Sequence, residues 1–285
     1  MVPPGRSRGS LRRLHPSLRH TPFILTPTTR LQIMTTNPTS APVNEAEYIT
    51  IGQLAEYLGW STRFIEGLVR GEKMPGLEIE GQWRFRRDDV VDWLEQKIQT
   101  LDTARVTELE TNLESSLLAD GTFRTTRTDR LTSRLPLKGI ALDVPVSGKT
   151  EAIEALATLA DATGLLFDKQ HLLDSLIDRE ALCSTAMPGG VALCHPRRPI
   201  PSIIERQFLT LLRTERPVDF GAEDGEGTSL FFLLCTPDDR SHLHGLARLA
   251  RVLNAQTLES LRNASDSDEV LSILANAEAA VQTKD

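Results

Sequence analysis

Arg179-Glu-Ala-Leu-Cys-Ser-Thr185-Ala-Met-Pro-Gly-Gly190-Val-Ala-Leu-Cys-His195-Pro-Arg-Arg198 is the stretch on which the fold turns. A helical pattern over residues 170–180 runs into it. The pair Gly189-Gly190 then opens a short apolar run, residues 190–194, which reads as a strand ending at His195. Taken alone, a histidine at a strand end is more often structural than catalytic. Outward from here, helix and strand patterns alternate. Residues 149–163 form an amphipathic helix, residues 229–235 (Ser-Leu-Phe-Phe-Leu-Leu-Cys) a strongly apolar strand, and residues 242–253 a helix with Leu246, Leu249, Ala250 and Leu253 inward. Residues 200–212 read as a strand with a following turn, and a last helix begins near residues 266–268. Alternation of this kind predicts an α/β domain, a sheet covered by helices.

The preceding segment follows other periods. Thr50-Ile-Gly-Gln53 has the spacing of a capping box, and Leu54, Ala55 and Leu58 give a short apolar face broken at Gly59. Ser61 can cap a second helix, with Phe64, Ile65 and Leu68 on one face, ended by Gly71 and Pro75-Gly76. Two alternating runs around Gly81-Gln82 predict a hairpin, with Trp83 and Phe85 as core. Asp88 or Asp89 then caps a helix carrying Val90, Val91, Trp93 and Leu94, a pattern that runs on through Ile98, Leu101, Val106 and Leu109. The charged stretch to Leu118 reads as a connecting helix or a short dimerising coiled coil, and residues 119–134 as a linker.

Composition bounds the rest. The chain has 285 residues, room for two modest domains. A net charge of -7 excludes a uniformly nucleic-acid-coating surface but leaves room for a local basic face. Cys183, Cys194 and Cys235 form no C-x-x-C pair and suit a reducing, cytoplasmic setting. No apolar run reaches membrane-spanning length. Residues 1–44 hold six arginines and no acidic residue before Asn44. That composition could mimic an organellar transit peptide; a disordered basic tail, or a true start at Met34, is the preferred reading.

Two resemblances emerge. The string Tyr48-Ile-Thr-Ile-Gly-Gln-Leu-Ala-Glu-Tyr-Leu-Gly-Trp60, with Lys73-Met-Pro75 and Trp83-Arg-Phe-Arg-Arg-Asp88, resembles the excisionase-type, MerR-related helix-turn-helix family. It implies a small winged helix-turn-helix domain over residues 48–98. Ser61, Thr62 and Arg63 would open a recognition helix toward DNA bases, with Arg70, Lys73, Arg84, Arg86 and Arg87 on phosphates. Glu66, Glu72, Glu78 and Glu80 dilute that face, so a homodimer or an extra contact would be needed.

The stretch quoted first, together with Val218-Asp-Phe-Gly-Ala-Glu-Asp-Gly225, Leu230-Phe-Phe-Leu-Leu and Ser241-His242-Leu243, resembles the fructose/mannitol and nitrogen-type enzyme IIA family of the sugar phosphotransferase system. The resemblance spans residues 135–280 and implies a mixed sheet flanked by helices. It makes His195 a phosphoryl acceptor, His242 the second histidine of the site, Thr185 a donor to the phosphoryl group or a holder of His195, and Arg179 a neighbour of the pocket. Neutral imidazole is nucleophilic near neutral pH, and phosphoryl transfer is chiefly positioning and charge stabilisation. Arg197 and Arg198 would clamp phosphate or dock an acidic partner face, or lie in a solvated loop between Pro196 and Pro199. His244 reads as exposed or cap-like. The family has proline before the nucleophile; here Cys194 stands there and Pro196 follows, which alters the presenting turn and puts a thiol of candidate redox activity beside the imidazole. A metal on His195, His242 and a cysteine ranks low because no short-range ligand spacing supports it, and no cofactor is expected.

Together the halves imply a phosphotransferase-system-linked regulator, with a phosphocarrier protein as donor, DNA as partner and no membrane insertion. The alternatives are a sugar-uptake component passing phosphate to an enzyme IIB domain, or an inactive enzyme IIA-fold scaffold.

Overall fold

The computed structural model describes residues 48–98, 100–119, 121–122 and 130–282. The basic stretch 1–44 and the middle of the Thr/Arg-rich linker, residues 123–129, lie outside them.

The N-terminal module opens with β1 (Tyr48–Thr50), followed by α1 (Ile51–Leu58) and α2 (Thr62–Gly71). Its two wing strands are β2 (Leu77–Ile79) and β3 (Gln82–Arg86), and the sheet order is β1-β3-β2. The Thr50/Gln53 capping box forms in both directions, at 3.2 and 2.8 Å. Gly59 closes α1 with φ 72°, and a Cβ there would lie 2.3 Å from Ser116 Cβ, so glycine serves both the left-handed cap and close helix packing. The hairpin turn sits at Glu80-Gly81, both at positive φ, one residue earlier than the sequence pattern places it.

Helix α3 (Arg87–Ile98) begins at Arg87, so Asp88 and Asp89 occupy its first turn rather than its cap. The pattern read as one long helix is broken. Helix α4 (Thr103–Ala119) is a separate element, and Asp102 accepts from the Arg105 amide at 2.9 Å to start it. Its stripe Val106, Leu109, Leu113 and Leu117 is buried against the C-terminal domain, which makes α4 an internal packing helix rather than an exposed coiled-coil strand.

After the short α5 (Leu131–Arg134), the C-terminal domain runs β4 (Ile140–Val144), α6 (Lys149–Ala162), α7 (Lys169–Leu182), β5 (Ala186–Met187) and β6 (Val191–Cys194). It continues with β7 (Phe208–Val218), β8 (Thr228–Cys235), α8 (Asp239–Val252), α9 (Ala255–Asn263) and α10 (Ser267–Gln282). Five strands make a mixed sheet in the order β4-β7-β8-β6-β5, with β4/β7 and β6/β8 parallel and the other pairs antiparallel. Period-two alternation sorts the sheet residues. Ala192, Cys194, Phe208, Leu212, Phe231 and Leu233 share one core with residues of α6 and α7. Leu193, Leu209, Leu211, Phe232 and Leu234 share the other with α8, α9 and α10, and this second core continues into Leu54, Phe85 and Leu94 of the N-terminal module. The strand expected over residues 200–212 starts later and runs longer, because residues 201–203 form a 3-10 turn first. Strands β4 and β5 and helix α9 are additions to the sequence reading. No described helix is long and apolar enough to cross a membrane.

Candidate functional site: a histidine pair under helix α3

The end of strand β6, beside the edge strand β5, delivers His195, and α8 brings His242 from its first turn to meet it. The two imidazoles stand edge to face, centroids 4.7 Å apart. His195 Nδ1 lies 3.0 Å from the Leu193 carbonyl, which can only accept. That bond puts the ring proton on Nδ1 and leaves Nε2 with the lone pair. Arg179, from the last turn of α7, donates its Nε–H to this Nε2 at 2.9 Å and reaches the Cys183 carbonyl at 3.1 Å with Nη1. Arg179, His195 and His242 are buried, at 3%, 1% and 2% exposure.

Thr185 lies one layer behind. Its hydroxyl donates to Glu180 at 2.7 Å, and Glu180 also pairs with Lys149 at 2.7 Å. The hydroxyl therefore engages Glu180, and its nearest member of the β6 end is the Cys194 sulfur at 3.5 Å. Cys194 is buried, and burial pushes its thiol up to about 12, which removes the thiolate that redox chemistry beside the imidazole would require. His244 corrects a further expectation. It is fully buried on α8 rather than exposed or capping, and burial and the Arg134 charge push its imidazole down to about 3.

The sequence reading missed the residue that completes the cluster. Glu95, on α3 of the N-terminal module, is 3% exposed. Its Oε2 lies 3.1 Å from His195 Nε2 and 3.3 Å from Arg179 Nε, and its Oε1 lies 2.9 Å from His242 Nε2. Burial acts to raise this carboxyl, but its contacts with the His195 and His242 imidazoles outweigh it and hold the group below the usual carboxylate range. Burial lowers His195, with Glu95 opposing. His195 is therefore neutral and Glu95 ionised, and the Arg179 Nε–H, with Nε 2.9 Å from His195 Nε2 and 3.3 Å from Glu95 Oε2, stands between the two acceptors. A signal for Glu95 existed: Val91, Leu94, Glu95 and Ile98 fall at i, i+3, i+4 and i+7, which sets a carboxylate in the apolar stripe.

Glu95, His195 and His242 offer one carboxylate oxygen and two imidazole nitrogens within 4.8 Å, a donor set that zinc accepts. Arg179 argues against that use, since its N–H already takes the His195 lone pair and its charge would repel a cation. Cys194 stands outside the group, so the ligand trio imagined from sequence is not the one brought together.

At the rim, Arg198 pairs with Asp92 and Asp88 of α3, the Arg198 Nη2 to Asp92 Oδ2 distance being 3.2 Å. The acidic face that Arg198 docks is thus supplied by the same chain. Arg197 is exposed, with its amide donating to Ser175. A cleft of about 420 Å³ adjoins the site, lined by Trp93, Lys97, Arg179 and Cys183 among others.

Elsewhere on the N-terminal module, Thr62, Arg63, Arg70, Lys73 and Arg86 are exposed. Ser61 caps α2, accepting from the Phe64 amide at 3.2 Å. Arg84 is half-buried and donates to Gln82 and to the Trp83 carbonyl. Arg87 stacks over the Tyr57 ring at 4.2 Å. Glu72 is drawn toward Lys97 and Arg105, so it weighs less on the basic face than its sequence position implies.

Two stretches of the chain match known families. Residues 135–277 match the family described as "Phosphoenolpyruvate-dependent sugar phosphotransferase system, EIIA 2", and residues 48–98 match "Helix-turn-helix domain". The chain is 36% identical over 134 residues to a "Nitrogen regulatory protein" of Bradyrhizobium diazoefficiens, covering 46% of this chain and 84% of that one. It is 29% identical over 143 residues to the "PTS system fructose-specific EIIA component" of Haloferax volcanii, covering 49% and 91%. The crystal structure of nitrogen regulatory protein IIA-Ntr from Neisseria meningitidis is 31% identical and covers 50% of this chain and 97% of its own, with a TM-score of 0.43.

Proposed function

Since the chain belongs to the phosphoenolpyruvate-dependent sugar phosphotransferase system EIIA 2 family and carries a helix-turn-helix domain, we propose that it is a phosphotransferase-system-linked regulator that accepts a phosphoryl group on His195 Nε2 and couples that state to a DNA-binding module. The observation that carries this reading is the tautomer lock. The Leu193 carbonyl holds the proton of His195 on Nδ1 and leaves Nε2 nucleophilic. Transfer then needs no base. The N–P bond of a phosphohistidine on the phosphocarrier protein breaks as the Nε2–P bond of His195 forms. Arg179 and His242 stand where they would neutralise the transferred oxygens. The exposed Arg63, Arg70 and Lys73 give the N-terminal module a surface suited to phosphate contacts on DNA.

A second reading, onward transfer to an enzyme IIB domain during sugar uptake, draws on the similarity to the Haloferax fructose-specific component. The test is intact-mass analysis after incubation with phosphoenolpyruvate, enzyme I and the phosphocarrier protein. Wild type is expected to gain one acid-labile phosphate that His195→Ala lacks entirely, and the labelled and unlabelled forms are expected to differ in DNA affinity. Absence of label beside a labelled control enzyme IIA would leave a scaffold. Onward transfer to an enzyme IIB with no change in DNA binding would favour the transport role.

A further inference from the structure

The acceptor nitrogen is covered. His195 is 1% exposed and His242 2%, and the group lying on both is Glu95 of the helix-turn-helix module. With Oε2 at 3.1 Å, no phosphorus bearing three oxygens can enter at Nε2 while Glu95 stays. The contacts of the carboxylate are the ones a phosphoryl group on Nε2 would seek: the acceptor nitrogen, the second imidazole and the Arg179 guanidinium. The fixings around it are of two kinds. On the Glu95 side the ion pairs lie at the rim, where Arg198 meets Asp92 and Asp88 in partly exposed pairs of the type worth little in water, and the remaining hold is the apolar packing of Val91, Leu94 and Ile98 in the shared core and the Tyr57–Asp239 hydrogen bond. Further along the chain the ion pairs are buried: α4 is tied to α8 through Glu110 with Arg248 and Arg251.

We infer that Glu95 is an internal gate on the phosphorylation site, its carboxylate holding the place of the phosphoryl group, so that docking of α3 and phosphorylation of His195 exclude one another. The inference rests on the reading of His195 as phosphoryl acceptor and names how that site is regulated. A donor gains access only when α3 lifts. Once the Nε2–P bond forms, the phosphoryl charge repels the returning carboxylate and takes over the Arg179 and His242 contacts. No proton is consumed, because Nε2 already carries the lone pair and Glu95 leaves as the anion. The phosphorylated chain therefore presents the helix-turn-helix module with α3 released, still tethered through α4. This is the step by which a charge change at His195 reaches the N-terminal module.

The experiment compares initial labelling rates of the full-length wild type, Glu95→Ala and Glu95→Gln with phosphoenolpyruvate, enzyme I and the phosphocarrier protein. Both variants are expected to label at least tenfold faster than wild type. Glu95→Gln keeps the volume of the side chain and guards against a folding defect in the alanine variant. Equal rates in all three chains would overturn the gate and leave the acceptor reading standing. Failure of all three to label beside a labelled control enzyme IIA would overturn both.

Discussion

Glu95 and Glu110 occupy the same slot on successive helices. Val91, Leu94, Glu95 and Ile98 on α3 repeat as Val106, Leu109, Glu110 and Leu113 on α4, and both carboxylates are buried against α8. Their partners differ. Glu110 meets two guanidiniums, Arg248 and Arg251, and Arg248 goes on to Glu278 at 3.0 Å. Glu95 meets two imidazoles and shares one arginine with His195. Guanidiniums stay charged at any pH a protein survives, so the Glu110 cluster is permanent. Imidazoles give up or take a proton or a phosphoryl group, so the Glu95 cluster can be re-partnered. One sequence pattern thus yields a lock in one place and a latch in the other.

The comparison is broken most directly at Glu110. Glu110→Ala would take one carboxylate from Arg251 and leave Arg248 with Glu278 and Glu114. With two charge-assisted bonds lost it is expected to destabilise the fold by about 3 kcal/mol, read from urea unfolding of wild type and variant. A loss near that of an ordinary surface substitution would mean that the two clusters do not differ as described.

A smaller effect concerns the titratable group inside the lock. His244 Nδ1 or Nε2 falls within 4.8 Å of carboxylate oxygens of Glu110 and Glu114, yet burial and Arg134 push the imidazole down from 6.5 to about 3. With the folded value below the unfolded one, the unfolded chain takes up the proton first as pH falls. Stability is therefore full above pH 6.5 and declines toward pH 3. His244→Leu is expected to flatten the decline of Tm between pH 6.5 and about 5, a window in which ordinary carboxylates barely titrate. An unchanged slope would show that His244 keeps its usual proton affinity.

The legibility of these regions in sequence also differed. The caps at Thr50 and Ser61, the strand into His195 and the helix bearing His242 are local patterns, and each stands where the pattern puts it. Short β4 and β5 gave too few alternations to read, and α9 runs close behind α8 with only Leu253 and Asn254 between. Helix α4 looked like a connector because its apolar stripe has no partner within the local sequence; the partner, α8, lies more than a hundred residues away. The partners of Glu95 were hidden for the same reason. Nothing near residue 95 in sequence tells that two imidazoles from β6 and α8 will meet it, and only its place within an apolar stripe marks it as unusual. His244 failed in reverse, a polar residue taken for surface on a helix that is buried nearly all round.

The claim that the latch at Glu95 opens while the lock at Glu110 holds is tested most directly by amide hydrogen exchange on the full-length chain before and after phosphorylation. The account predicts that protection falls in α3, residues 87–98, and persists in α4, residues 103–119, with His195→Ala showing no change under the same treatment. Protection retained in α3 of the fully phosphorylated chain, or lost equally from α3 and α4, would contradict it.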